Sequence, residues 1–258
     1  VIVKKPELSP PCSGWSADLP KPDVVQRIAP DLHIGRINHL DDTYLELSRP
    51  GIKKGILLWF GLLAGVSPVY VGSYVVSGWQ DLSMLNVLAF AVLILPVSIW
   101  ALFLFMKMEL FLPNEEPIRF NRARQRIYAY NCRYRWWNPF ERWGIVPATY
   151  EWSQVRAERW NKRAVTAQGA LIMKWGVVLS IVEPGTNKVI DRFPLSTMGA
   201  DEFAWAYVCT YMQEGPSVLS NPNPPRDHND VPWYNFSLRL APKVHWPAGM
   251  DLESRTRP

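Results

Sequence analysis

Charge is missing from two long stretches where a soluble chain rarely omits it. Gly55 to Val76 and Met84 to Met106 contain no Asp, Glu, Lys, Arg or His. With no ionisable side chain in either run, a proton relay or ion pathway has nothing to run on, which argues against a transporter or channel. Cysteine is scarce as well. Cys12, Cys132 and Cys209 stand far apart with no CxxC among them, and are expected as reduced thiols in a cytoplasmic setting. The four histidines, His33, His39, His228 and His245, have neither HxxxH nor HExxH spacing, so no metal centre is expected. GxSxG, Walker A and GxGxxG patterns are all lacking, so neither a cofactor nor a catalytic set is expected. The acidic pair Glu115-Glu116 and the polar group Asp227, His228 and Asp230 read as solvated loop residues. The first 30 residues lack the basic-then-apolar run of a signal peptide, which leaves the first apolar run as the insertion signal.

What is there begins with those two runs. At a rise of 1.5 Å per residue, about 22 residues span about 33 Å, enough for a hydrocarbon core of about 30 Å. A two-helix transmembrane hairpin is expected over 55–76 and 84–106. Arg49, Lys53 and Lys54 precede it, and Lys107, Arg119, Arg122, Arg124 and Arg126 follow, while the connection Ser77–Ser83 carries only Asp81. This asymmetry puts both termini in the cytoplasm and the protein in a bacterial inner membrane, crossing twice. Trp79, Tyr70 and Tyr74 suit the interface. Gly61 and Gly65, with Gly72 near the same stripe, let helix backbones approach closely. Pro68 and Pro96 fall mid-span, where proline removes a donor and kinks a helix.

The net charge of +5 is read as topology and lipid headgroup contact rather than nucleic-acid binding, because basic residues flanking the hairpin supply much of it. Four regions are expected. Residues 1–50 form a proline-rich arm with a possible edge strand, and 51–110 the hairpin. Residues 111–215 form a cytoplasmic α+β domain, and 216–258 a proline-rich tail that wraps the domain and frays. Within the domain, Pro117–Asn131 reads as two strands around an arginine-rich turn. Ala170–Val182 and Lys188–Phe193 read as a hairpin turning at Pro184-Gly185-Thr186-Asn187, and Asp201–Glu214 as an amphipathic helix. Antiparallel strands followed by one helix give a pleckstrin-homology-like architecture, with Asn235–Leu240 as a further strand-like piece in the tail.

Arg133 to Trp143 is the densest aromatic-basic stretch. Arg133, Arg135, Trp136, Trp137, Arg142 and Trp143 combine large anchors with directional charge, as protein-protein hot spots do. Packing near the membrane is the competing reading. Asn138-Pro139 makes the stretch a loop.

Three segments carry a resemblance: Glu116-Pro117-Ile118-Arg119-Phe120-Asn121-Arg122, Tyr150-Glu151-Trp152-Ser153-Gln154-Val155, and Asp191-Arg192-Phe193-Pro194-Leu195 before a Trp-containing helix. Together with the basic-flanked double span, residues 40–215 resemble a proteobacterial domain-of-unknown-function family of membrane-anchored proteins. These are often encoded beside type VI secretion and polymorphic toxin genes. The resemblance implies an immunity protein that neutralises a cognate toxin by stoichiometric binding. The alternative is a membrane-anchored regulatory or scaffold module that binds lipid or a signalling partner.

Overall fold

The structure is a computed structural model that describes residues 5–32, 36–49, 56–77, 83–165, 171–195, 202–220, 233 and 236–258. It opens on strand β1 (Trp15–Asp18), followed by β2 (Arg36–Leu40) and β3 (Tyr44–Ser48). A helical insertion comes next: α1 (Ile56–Ser77), α2 (Met84–Ala89), a π-helical turn (Phe90–Ile94) and α3 (Leu95–Phe111). Strands β4 (Ile118–Asn121), β5 (Arg126–Arg133), β6 (Gly144–Glu151), β7 (Val155–Val165), β8 (Leu171–Val182) and β9 (Val189–Pro194) precede α4 (Glu202–Glu214). Two short helices, α5 (Phe236–Leu240) and α6 (Ala248–Arg255), lie near the end.

This architecture corrects the expected one. The fold is mixed α+β with two antiparallel sheets, ordered β2-β3-β4-β5-β6 and β1-β7-β8-β9. No hairpin stands ahead of a single pleckstrin-homology-like sheet. Three strands precede the helices, and β3 pairs directly with β4, Leu47 opposite Ile118. The helices therefore interrupt a sheet. Among the described residues, only Val92–Phe111 forms a helix long and apolar enough to cross a membrane; the apolar part of α1, Leu57–Ser73, is shorter. Two spans are not supported. The connection with Trp79 and Asp81, the flanking Lys53 and Lys54, and the group Asp227, His228 and Asp230 lie outside the described residues.

The insertion packs on itself through its small residues. A Cβ on Gly61 would meet Phe105 at 3.3 Å, and one on Gly65 would meet Leu102 at 3.2 Å, so glycine sets the approach of α1 to α3. Pro68 cannot donate to the Ala64 carbonyl, and Ser67 Oγ donates to it instead at 3.1 Å. Before Pro96 the second run widens, with the Leu95 amide reaching back to Phe90 O in a π turn.

One core joins both sheets to α4. Trp152, in the short turn between β6 and β7, meets Phe120 of β4 edge-on at 6.3 Å and Trp205 of α4 at 5.6 Å. Trp205, Tyr207 and Tyr211 are wholly buried, each such side chain contributing on the order of 1.5–3 kcal/mol of apolar burial. The polar tips of Trp205 and Tyr211 are spent on the N-terminal arm. Trp205 Nε1 donates to Pro20 O and Tyr211 Oη to Asp41 O, both at 2.8 Å. The arm is thereby fixed, and β1 completes the second sheet by pairing with β7.

The arginine-rich turn, expected to face solvent or lipid, instead holds the tail. Arg119 Nη1 donates to Asp251 Oδ1 and Ser254 Oγ of α6, each at 2.7 Å, and its Nε to the Glu46 carboxylate. Arg126 Nη1 donates to Glu253 at 2.7 Å, and Arg124 Nε to Thr256 O at 3.0 Å. Residues 251–257 are thus bound to the sheet.

Candidate functional site

β5 and β6 pair from Arg126↔Glu151 out to Arg133↔Gly144, so the aromatic-basic stretch is the loop that joins them. Asn138 shapes it. Its amide donates to Arg135 O at 3.0 Å, its Oδ1 accepts the Phe140 amide at 3.1 Å, and its carbonyl accepts Trp143 Nε1 at 3.1 Å. An Asx turn of this kind explains why Asn-Pro sits at the tip.

The loop lies along α3. Trp100 Nε1 donates to Trp137 O at 3.1 Å, and Lys107 Nζ donates to Pro139 O and Glu141 O at 2.6 and 2.5 Å. Phe140 rests against Phe103, with ring centres 5.9 Å apart, and the Lys107 ammonium sits 4.9 Å over the Trp143 ring. Of the six expected site residues, Trp137 and Trp143 are brought to the flank of the apolar helix, Arg135, Trp136 and Arg142 share their loop, and Arg133 ends β5 beside Arg49 and Tyr150. Arg133, Arg135 and Arg142 are exposed. Arg135 pairs with Glu141 at 3.4 Å. Trp136 and Trp137 are 64% and 53% exposed, while Trp143 is half-buried between Tyr134 and Lys107.

Sequence reasoning missed what lies behind the loop. A cleft of about 300 Å³ is lined by Arg49, Glu116, Cys132, Arg133, Tyr150 and Asp191, among others. Arg49, read from sequence as a flanking charge, is buried. Its Nε donates to Glu116 O at 2.6 Å and its Nη2 to Tyr130 O and Asn131 Oδ1 at 3.1 and 2.9 Å. Burial pulls its guanidinium down to about 10, partly opposed by the Glu116 charge. Opposite, the Tyr150 hydroxyl donates to Asp191, and burial together with that bond raises the phenol. Glu115 and Glu116 do not act as a pair. Glu116 Oε2 accepts the Cys132 amide at 3.0 Å, while Glu115 accepts from Asn38 at 3.5 Å. A second buried carboxylate, Glu158, accepts from the Cys12 amide (2.9 Å), Ser180 Oγ and Arg192 Nε (3.0 Å). These arrangements clamp strands together. No local signal marks them, because every partner is remote in sequence. Among the described residues, no three His, Cys, Asp or Glu side chains converge as metal ligands.

The sequence model of a family of unknown function, DUF6708, matches residues 95–258, more than half of the chain. The chain belongs to DUF6708. No curated protein and no solved structure matches it. The DUF6708 match starts inside α3 and takes in the aromatic loop, strands β4–β9, α4 and the bound tail. Strands β1–β3, which complete both sheets, come from outside it.

Proposed function

We propose that this DUF6708 protein is anchored in a bacterial inner membrane by its helical insertion, with both termini cytoplasmic. There it neutralises a cognate secreted toxin by stoichiometric binding. Support for the anchor comes from Val92–Phe111, of which only 11% is buried against the rest of the chain. A core helix of a soluble protein would be mostly covered. Support for the shared side comes from the sheet. The insertion leaves from β3 and returns to β4, and the Glu116 amide donates to Arg49 O at 2.9 Å across the gap. The two ends of the insertion thus stand side by side on one face of any bilayer it enters. The basic flanks favour the cytoplasmic face.

The observation that carries the binding reading is on the second sheet. Val177, Leu179 and Ile181 of β8 point into the core, and with a side-chain period of two the same face continues outward through Trp175, Met173 and Leu171. Opposite Leu171 stands Val165. These four are 45%, 47%, 61% and 68% exposed in that order, so a core-like ribbon face runs on past its cover. Arg163 stands opposite Met173 and Asn161 opposite Trp175 on this same face, while the pair Lys162 and Lys174 lies on the other. Exposed apolar side chains beside an arginine are the make-up of a protein-binding patch. The identity of the partner as a toxin rests on the resemblance of residues 40–215.

The test is co-purification from membranes of the native host, comparing the wild-type chain with Leu171→Glu/Met173→Glu. A toxin-domain protein recovered near one-to-one with the wild type and lost with the variant supports the reading. Recovery of no such protein with the wild type overturns it.

A further inference from the structure

We propose that the loop 133–143 is a lipid-contacting element that sits in the headgroup layer of an acidic membrane beside α3. This rests on the membrane-anchor part of the reading above and adds a second contact with the bilayer.

Depth along α3 is the first argument. Trp100, Phe103 and Lys107, which hold the loop, share one stripe of the helix over about 10 Å at 1.5 Å per residue. On the N-terminal side of that stripe, Val92, Leu93, Ile94, Leu95, Val97 and Ile99 are exposed. From the loop onward Leu104, Glu109 and Leu112 are buried by the protein, while Phe111 stays 65% exposed. Protein cover on the helix thus begins at the level of the loop. That is where hydrocarbon gives way to headgroups, the layer in which amphipathic aromatic rings concentrate.

Continuity is the second. Phe140 is 72% exposed and extends the apolar surface of α3 outward through its contact with Phe103. Beside it, Trp136 and Trp137 offer ring faces with an N–H at one end, which suits a boundary that is apolar on one side and wet on the other. Charge is the third. Three arginines face one glutamate across the stretch, and basic side chains at this depth are drawn to acidic lipid. Their long stems also let the guanidinium groups reach the water side. Lys107 commits its ammonium to two loop carbonyls, which fixes the loop's angle to the helix.

The experiment uses the full chain, reconstituted in lipid bilayers, with an environment-sensitive fluorophore on a single introduced cysteine. Cys132→Ser removes the half-exposed native thiol; Cys12 and Cys209 are buried. Labels go to Phe140→Cys and, as the depth control, Val97→Cys. The bilayers contain lipids brominated either near the headgroup or near the chain end, with or without phosphatidylglycerol. The expected result is that the label at 97 loses emission mainly to deep bromine. The label at 140 should lose it mainly to shallow bromine, and more so with the acidic lipid. Arg133→Ala, Arg135→Ala and Arg142→Ala together should bring the loss at 140 back to its neutral-lipid level. Quenching at 97 with none at 140 overturns the lipid assignment alone and returns the loop to protein binding. No quenching at 97 overturns the anchor itself, and this proposal with it.

Discussion

Replacing Arg119 by Met should cost more stability than any other single change on the outer face of the first sheet. Arg119 is 1% exposed, with its guanidinium 4.5 Å over the Trp246 ring. It bonds Glu46, itself 3% exposed, together with Asp251 and Ser254 of α6. Methionine keeps most of the apolar stem and removes every donor. Glu46 retains Asn38 Nδ2 at 3.2 Å but loses its guanidinium counter-charge. Removing one member of a buried ion pair costs about 3–5 kcal/mol, because the remaining charge stays in a poorly solvated site. For a domain of about 150–250 residues, each kcal/mol moves the melting temperature by about 2–4 °C, so the expected fall is roughly 6–20 °C. Thermal unfolding of the detergent-solubilised protein, followed by near-ultraviolet circular dichroism, reads this directly. Hydrogen exchange at 248–255 should rise in parallel as α6 comes free. Adding Glu46→Gln should recover part of the loss, since a neutral amide is less costly to bury than a carboxylate. An Arg119→Met loss below about 1 kcal/mol would refute the reasoning, as would a double variant no more stable than the single one.

Other outcomes follow from individual groups. Burial, with Glu158 close by, pushes the Cys12 thiol up to about 11, and burial also raises Cys209. Maleimide at pH 8 should therefore label Cys132 first and the other two only after unfolding, as peptide mass spectrometry would show. The hydrogen bond from Arg126 holds the Glu253 carboxyl below its usual range. Its contribution is complete above the unfolded glutamate value of about 4.3 and is lost as pH falls through the lower folded value. Exchange protection of α6 should accordingly decline below pH 4 and be unchanged from pH 5 to 8. Trp136→Ala and Trp137→Ala, at exposed loop positions, should each shift stability by no more than about 0.5 kcal/mol, while leaving the chain in the membrane fraction.

Local pattern revealed what local pattern decides. The face shared by Phe203, Ala206, Tyr207 and Tyr211 marks α4, and Pro184-Gly185 turns the chain between β8 and β9, where Gly185 takes a positive φ of 72°. The aromatic loop is visible as a loop because Asn138-Pro139 cannot continue a strand. Pairing across long separations is not visible in this way. β1 lies in a proline-rich stretch that opposes regular structure, yet Trp15 finds Trp160 on β7. β3 looks too brief to trust as Tyr44-Leu45-Glu46-Leu47, yet it is interior to a five-stranded sheet. Arg119, Arg124 and Arg126 read as free cation because their acceptors at 251–257 are more than a hundred residues away, and Arg122 because it reaches Gln213 O, 91 residues on. Phe236–Leu240 has strand-like composition but forms a short helix. Nothing in its apolar residues separates the two periods over so few positions. The two-sheet division likewise depends on Trp152, which turns the chain between β6 and β7 and reads from sequence as one more strand residue.

The central claim is that the helical insertion holds the protein in a membrane. Alkaline carbonate extraction of membranes from the native host, with the full chain followed by antibody, tests it most directly. Retention of the protein in the pellet with integral membrane proteins is the expected result. Its release into the supernatant with peripheral proteins would contradict the account.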